Sequence, residues 1–333
     1  MTKRFSVKST LSNVLTAILA VAVMLLVIEA LLRVSGPPTH RFNNQSEEYY
    51  TNPRNYHTPL RIEEGHIIYG LRYNKSPKGY RLPDEPVSDK TGKKNAVLGM
   101  GDSFTYGRGV RYEDIYLSRM EQSLSRDGYD VSVKNSAICG ANIDEIYETY
   151  SYESSVKRYP VVIYGLVLND FGKSHAIYGT DFIDFNNAGY EFDPLRKTSS
   201  LYNLICYLIE ERRLHHYTID AYLRQFEGKN AARNFETLRQ LNRDVKLKGG
   251  TLIIVLFPLI YDFERYPFHG IHQKIADFCD REGILLLDLL PAFSNYKAEE
   301  LWANPTDHHP NEIAHGLAAH ELHGFIIEKE VIR

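Results

Sequence analysis

Hydrophobic and polar positions divide this chain into three stretches. The first is apolar, the second polar, and the third alternates short apolar runs with helical spacing. From Val14 to Ile28 there is no charge and only Thr16 is polar; apolar character continues to Val34, broken by Glu29 and Arg33. About twenty such residues at roughly 1.5 Å each span a hydrocarbon core of about 30 Å. Lys3, Arg4 and Lys8 precede the stretch, so the positive-inside bias predicts a cytoplasmic N-terminus and export of the remainder. A cleaved leader is the alternative, but its apolar region is normally shorter and ends in a small-x-small site, which the segment around Val34-Ser35-Gly36 does not supply. The expectation is a retained single-pass anchor over residues 1–35, with its globular part outside the cytoplasmic membrane.

Gly36-Pro37-Pro38 ends that helix, because proline cannot continue it. Residues 36–94 are polar, rich in Tyr, Asn and Pro, and without sustained period; they read as an arm or linker against a main domain at 95–333. Strands are predicted at Ala96–Met100, Val131–Val133, Val161–Leu168, Thr251–Phe257 and Ile284–Leu287. Between them, Ile143, Ile146, Tyr147 and Tyr150 share one helix face, as do Leu201, Leu204, Ile205 and Leu208. Ala231, Phe235, Leu238, Leu241 and Val245 form another face, before Gly249-Gly250 stops the helix. A last helix buries Ala318, Leu322, Phe325 and Ile326. Strands alternating with helices imply βαβ units, hence an α/β domain whose parallel sheet is covered on both faces. Residues 171–198 lack period but hold Tyr178, Phe182, Phe185, Tyr190 and Phe192, either a wall of the substrate site or a surface excursion.

Composition changes this picture little. The chain has 333 residues, 43% hydrophobic and 24% charged, with a net charge of -3, which speaks against an electrostatic nucleic-acid binder. Cys139, Cys206 and Cys279 are too few and too scattered for a disulfide framework or a zinc site. Gly99-Met100-Gly101 lacks the third glycine of a dinucleotide fingerprint, since Phe104 stands there, and no phosphate-cradling Gly-Lys-Ser/Thr run occurs. His315, His320 and His323 do not form a His-Glu-x-x-His metal pattern and read as a solvated helix face. Neither metal nor cofactor is expected, and the oligomeric state is not legible.

The chemistry concentrates in four short segments. Gly101-Asp102-Ser103-Phe104-Thr105-Tyr106-Gly107 directly follows the first strand, where an α/β enzyme can expose a nucleophile, and Ser103 is the candidate. Asp102 and Asp170 read as braces of their turns. A histidine of Thr306-Asp307-His308-His309-Pro310-Asn311 is the candidate base; it stands just before a helix whose first turn suits Pro310, and Asp307 is placed to orient the ring. Oxyanion donors come from the amides of Ser103 and Gly140, the latter read as a helix N-terminal donor, and from the side chain of Asn169 at the end of the third strand.

These segments resemble the blocks of the SGNH hydrolase superfamily, the GDSL-type esterases and lipases, in a membrane-anchored bacterial form. The likeness runs from about Asn95 to Phe325, with Asn135 to Gly140, Asn169-Asp170 and Asp307 to Asn311 as the later blocks. It implies a flavodoxin-like three-layer α/β/α sandwich, Ser103 as nucleophile, His309 rather than His308 as base, Asp307 as its partner, and Ser103, Gly140 and Asn169 around the oxyanion. Two departures stand out. Val167 takes the usual glycine position two residues before the asparagine, with Gly165 two earlier, and Thr306 takes the usual aspartate position. The function implied is a carboxylic ester hydrolase acting on acyl groups, O-acetyl foremost, of envelope glycans or lipids. An O-acyltransferase of polysaccharide modification, or a non-catalytic glycan-binding export component, is the alternative.

Overall fold

The computed structural model describes residues 7–35, 49–50, 59–63, 66–69, 71–83, 94–172, 194–304 and 307–332. Most of the aromatic segment 171–198, including Tyr178, Phe182, Phe185, Tyr190 and Phe192, lies outside them. The chain forms two compact units: Met1–Asn43 with Tyr178–Tyr217, and Asn44–Ile177 with Thr218–Arg333. Residues 178–217 thus group with the N-terminal helix, a division the sequence pattern did not indicate.

In the first unit, α1 (Val7–Ser35) contains a span of 23 residues, Ser12–Val34, that is long and apolar enough to cross a membrane. None of the side chains of that span is buried by protein.

The second unit is built on five parallel strands: β1 (Asn95–Gly101), β2 (Val131–Asn135), β3 (Val161–Leu166), β4 (Thr251–Leu256) and β5 (Leu285–Asp288). They lie in the order β5-β4-β3-β1-β2, the flavodoxin-like arrangement. Val97, Leu98 and Met100 of β1 and every residue of β3 are buried, because helices cover both faces of the sheet. One layer holds α3 (Tyr116–Arg126) and α9 (Glu312–Glu328). The other holds α4 (Ile143–Val156), α7 (Gly228–Leu247) and α8 (His269–Glu282). The result is a three-layer α/β/α sandwich.

The switch in strand order falls between β1 and β3, and open α/β sheets bind ligands at the carboxyl edge beside that point. There the two strands run in register to Gly101 opposite Gly165. A Cβ on Gly165 would meet Thr105 Oγ1 at 2.1 Å and Tyr116 Oη at 2.6 Å; one on Gly101 would meet Thr105 Oγ1 at 2.4 Å. Both positions therefore need glycine for Thr105 to sit beneath the turn. Gly165 does this within the strand, whereas Val167 stands past its end, before the turn Leu168–Phe171.

Candidate active site

β1 ends at Gly101, Asp102 caps, and Ser103 opens a four-residue helix, α2 (Ser103–Tyr106). The Asp102 carboxylate accepts from Phe104 N at 2.9 Å through Oδ1, the Asx geometry that starts such a turn. Asn135, at the end of β2, supports the turn from the side: its Nδ2 donates to Thr105 O at 2.8 Å. After Asn135 the chain keeps running along β1, with Ser136 N donating to Gly99 O at 2.8 Å and Ile138 N to Gly101 O at 3.1 Å. That pairing carries Cys139-Gly140 alongside the serine turn. Gly140 has φ 75° and stands two residues before Asn142, the cap of α4. Its amide is therefore set by a left-handed turn and is not one of the unpaired donors of the helix terminus.

Asn169 also differs from the strand-end position expected for it. β3 stops at Leu166, and Asn169 sits in a 3-10 turn, Leu168–Phe171. Asp170 makes that turn: its buried Oδ2 accepts from Val167 N at 3.1 Å and from Tyr164 Oη at 2.9 Å. Held this way, Asn169 Nδ2 donates to Asp102 Oδ2 at 2.9 Å. A carboxylate can only accept, so this contact fixes which end of the amide faces the serine turn, and a second N–H remains on the same nitrogen.

The C-terminal segment supplies the imidazole. β6 (Trp302–Asn304) and β7 (Asp307–Pro310) form an antiparallel hairpin, tied down where Asn311 Nδ2 donates to Glu300 O at 2.7 Å. The Asn311 side-chain oxygen meanwhile accepts from Ile313 N and Ala314 N, capping α9. Pro310 thus closes a strand and precedes the cap, instead of occupying the helix's first turn. His309 Nε2 lies 2.8 Å from Ser103 Oγ, across 206 residues of sequence. His308 faces elsewhere, its ring stacked on Trp302 with centroids 3.9 Å apart, and the Trp302 indole donates to Ile260 O at 2.8 Å. The Asp307 backbone belongs to β7, but its side chain lies outside the described residues.

The electrostatics follow from burial. Asp102 is fully buried, and burial pushes its carboxyl above the usual range, opposed first by the Asn169 hydrogen bond and then by the Phe104 amide. Burial likewise drives Asp170 well above the usual carboxylate range, with the neighbouring charge of Asp102 adding to it. His315, read from sequence as solvated, is fully buried beneath the site: its Nδ1 accepts from Tyr116 N at 3.3 Å and its ring stacks on Tyr116. Burial, with the positive charge of Arg119 adding to it, lowers it to about 3. Among the described residues, no group of three His, Cys, Asp or Glu side chains is placed to hold a metal ion.

Sequence reasoning gave no role to the polar arm near this site. Tyr73 Oη accepts from Gly109 N at 2.8 Å, and the buried Arg81 guanidinium donates to Gly107 O and to Val110 O. The guanidinium lies over the Tyr73 ring at 4.3 Å. These contacts pin the loop that leaves the serine helix. Arg81 is one of several arginines in a Tyr-rich polar stretch, and nothing in their spacing marks it out.

Fold and site together define a flavodoxin-like α/β domain with a serine–histidine pair at its topological switch point. No family model matches the sequence, and no curated protein matches it. Among solved structures, the chain is similar to TesA at 12% identity, with 72% of this chain and 100% of that one covered and a TM-score of 0.49. It is similar to the acetyl xylan esterase AlAXEase at 16% identity, covering 68% and 97% with a TM-score of 0.44. A G-D-S-L family lipolytic protein from Desulfitobacterium hafniense matches at 13% identity, covering 69% and 99% with a TM-score of 0.43.

Proposed function

We propose that this protein is a membrane-anchored serine esterase that hydrolyses acyl esters outside the cytoplasmic membrane. The observation that carries the reading is the 2.8 Å contact between Ser103 Oγ and His309 Nε2 at the switch point of the sheet. With Nε2 unprotonated, the serine hydroxyl donates to it. As Ser103 Oγ attacks the acyl carbonyl, the proton passes to His309, which then returns it to the leaving alkoxide. Water, activated by the same imidazole, releases the acyl group from the serine. The amides of Ser103 and Gly140 and the second N–H of Asn169 are the donors assigned to the developing oxyanion. Each such donor is typically worth about 3 kcal/mol in the transition state. Asp307 is assigned to orient the His309 ring.

The substrate class proposed is an O-acylated glycan or lipid of the cell envelope, O-acetyl groups foremost. It follows from an anchored domain on the outer side, reached by α1 with its basic residues left in the cytoplasm. The test uses the purified full chain in detergent, with a short-chain nitrophenyl ester, a fluorophosphonate probe, and acetylated glycan with and without a sugar acceptor. Ester turnover and labelling that both vanish in Ser103→Ala support the reading. Labelling that persists in Ser103→Ala removes the serine from its role. Acetate appearing on the acceptor instead of in solution identifies a transferase.

A further inference from the structure

The first unit carries an interaction surface that the esterase reading does not use. α1 bears two charged residues near its outer end, Glu29 and Arg33, joined by a 2.7 Å ion pair one turn apart. Glu29 also reaches residues far along the chain. Its carboxylate accepts from Ser199 Oγ at 3.0 Å, Ser200 N at 2.9 Å and Leu201 N at 2.8 Å. The Arg33 guanidinium donates to Thr198 O. These partners join α5 (Pro194–Thr198) to α6 (Ser200–Gln225), so an acid of the apolar helix caps the start of α6. Removal of α1 as a leader would leave Ser199, Ser200 and Leu201 without that acceptor.

Depth follows from helix geometry. Val23 is the midpoint of the span Ser12–Val34. Glu29 lies six residues beyond it, about 9 Å along the axis, whereas half a hydrocarbon core is about 15 Å. A charge inside that boundary is expensive unless partnered, and its partners are at the start of α6. The beginning of α6 is therefore drawn below the headgroups of the outer leaflet.

The side chains there are distributed in reverse of a water-facing helix. Polar Arg196 and Asn203 are buried, Arg196 Nε donating to Asn203 Oδ1 at 3.2 Å. Apolar Leu195, Tyr202, Ile205 and Ile209 are exposed at 61%, 37%, 46% and 50%. Tyr202, Ile205 and Ile209 follow i, i+3, i+7 spacing and so share one face. A soluble helix turns its polar residues outward; exposed aliphatics beside a membrane span suit acyl chains, and a tyrosine among them suits the interface.

We infer that the α5–α6 corner is a second membrane element: its Leu195, Tyr202, Ile205 and Ile209 face contacts the acyl chains of the outer leaflet, held at that depth by Glu29. This rests on α1 being a retained span. The test reconstitutes the wild-type full chain, and Ser103→Ala beside it, into phosphatidylcholine–phosphatidylglycerol vesicles. The vesicles are doped with a phospholipid bearing a diazirine in its acyl chain, and adducts are mapped by mass spectrometry after illumination. Expected are adducts on α1 and, several-fold above the exposed Arg233 region of α7, on the Tyr202–Ile209 peptide, identical in the serine variant. Adducts on α1 with none above background on Tyr202–Ile209 overturn the inference alone. Adducts on neither overturn it together with the anchor. Adducts on Tyr202–Ile209 that disappear as the protein-to-lipid ratio rises overturn it in favour of a second copy covering that face. Loss of ester turnover leaves the adduct map unchanged, so the esterase reading fails or stands separately.

Discussion

His315→Asn tests whether the interior beneath the serine turn resists protonation as its geometry requires. Nδ1 of His315 accepts the Tyr116 N–H, so a second proton could enter only by facing that N–H, in a fully buried site with Arg119 nearby. The folded imidazole is lowered to about 3 from an ordinary 6.5. The sign follows from linkage: between those values the unfolded chain binds a proton that the folded chain refuses. Stability is therefore present above about 6.5 and lost as pH falls toward 3, by about 1.4 kcal/mol per pH unit once well below 6.5. Integrated from pH 7 to pH 5, this one group costs about 2 kcal/mol. Asparagine offers an oxygen near the place of Nδ1 and does not titrate. The assay is urea unfolding of the full chain in detergent, followed by fluorescence of Trp302, the single tryptophan, which sits in the hairpin beside His309. The wild type is expected to lose about 2 kcal/mol more than His315→Asn over that interval. All other titrating groups are common to both proteins and cancel in the comparison. Parallel pH dependences in the two proteins would refute the reasoning.

Asn169→Ala removes a donor assigned to the oxyanion, so kcat for a nitrophenyl ester should fall by about 10²–10³ with KM nearly constant; an unchanged kcat would take Asn169 out of the site. Gly165→Ala puts a Cβ at 2.1 Å from Thr105 Oγ1, between a strand and the serine turn. Thermal unfolding should show a loss of about 1–3 kcal/mol, the usual cost of overpacking, and no loss would mean the turn has slack. Trp302→Phe keeps an aromatic face for His308 but deletes the indole bond to Ile260 O. If that bond helps aim the hairpin, kcat should drop by about tenfold, with fluorophosphonate labelling slowed in proportion.

The sheet was legible because its strands are buried on both faces, so Val161–Leu166 reads as a continuous apolar run that no surface helix would tolerate. Ser103 and the histidine segment were legible for a different reason: each sits where an element begins or ends, and such places carry their own composition. Asn169 was misplaced because the turn that holds it is made by the Asp170 side chain bonding Val167 N, a contact that leaves no periodic trace. His315 is buried, not solvated, and its position carries the signal that its residue type hides. It precedes Ala318 by three residues, Leu322 by seven and Ile326 by eleven, so it lies on the buried stripe of α9. Nothing local indicates that Arg81 reaches Gly107 O and Val110 O, since such pairings over 26 and 29 residues depend on how the arm lies.

Asp102→Asn shows what the buried acids of the site are for. Asp102 offers two oxygens, one accepting from Phe104 N and the other from Asn169 Nδ2. Asparagine offers only one, so the variant either loosens the turn or leaves the Asn169 amide without an acceptor. In both cases a group assigned to the transition state loses its aim, and kcat should fall by about 10²-fold with little change in KM. Stability moves the other way with pH. Burial raises the folded carboxyl of Asp102 above its unfolded value, so the wild type is penalised as pH rises from the ordinary carboxylate range through the folded value. Asparagine carries no such penalty, so the unfolding free energy of the variant relative to wild type should climb across that interval. Kinetics at fixed pH together with urea unfolding at several pH values separate the two effects. A variant that loses activity yet shows no relative gain at higher pH would mean that the wild-type carboxyl is not strained by burial. The charge would then be held by the fold at no cost.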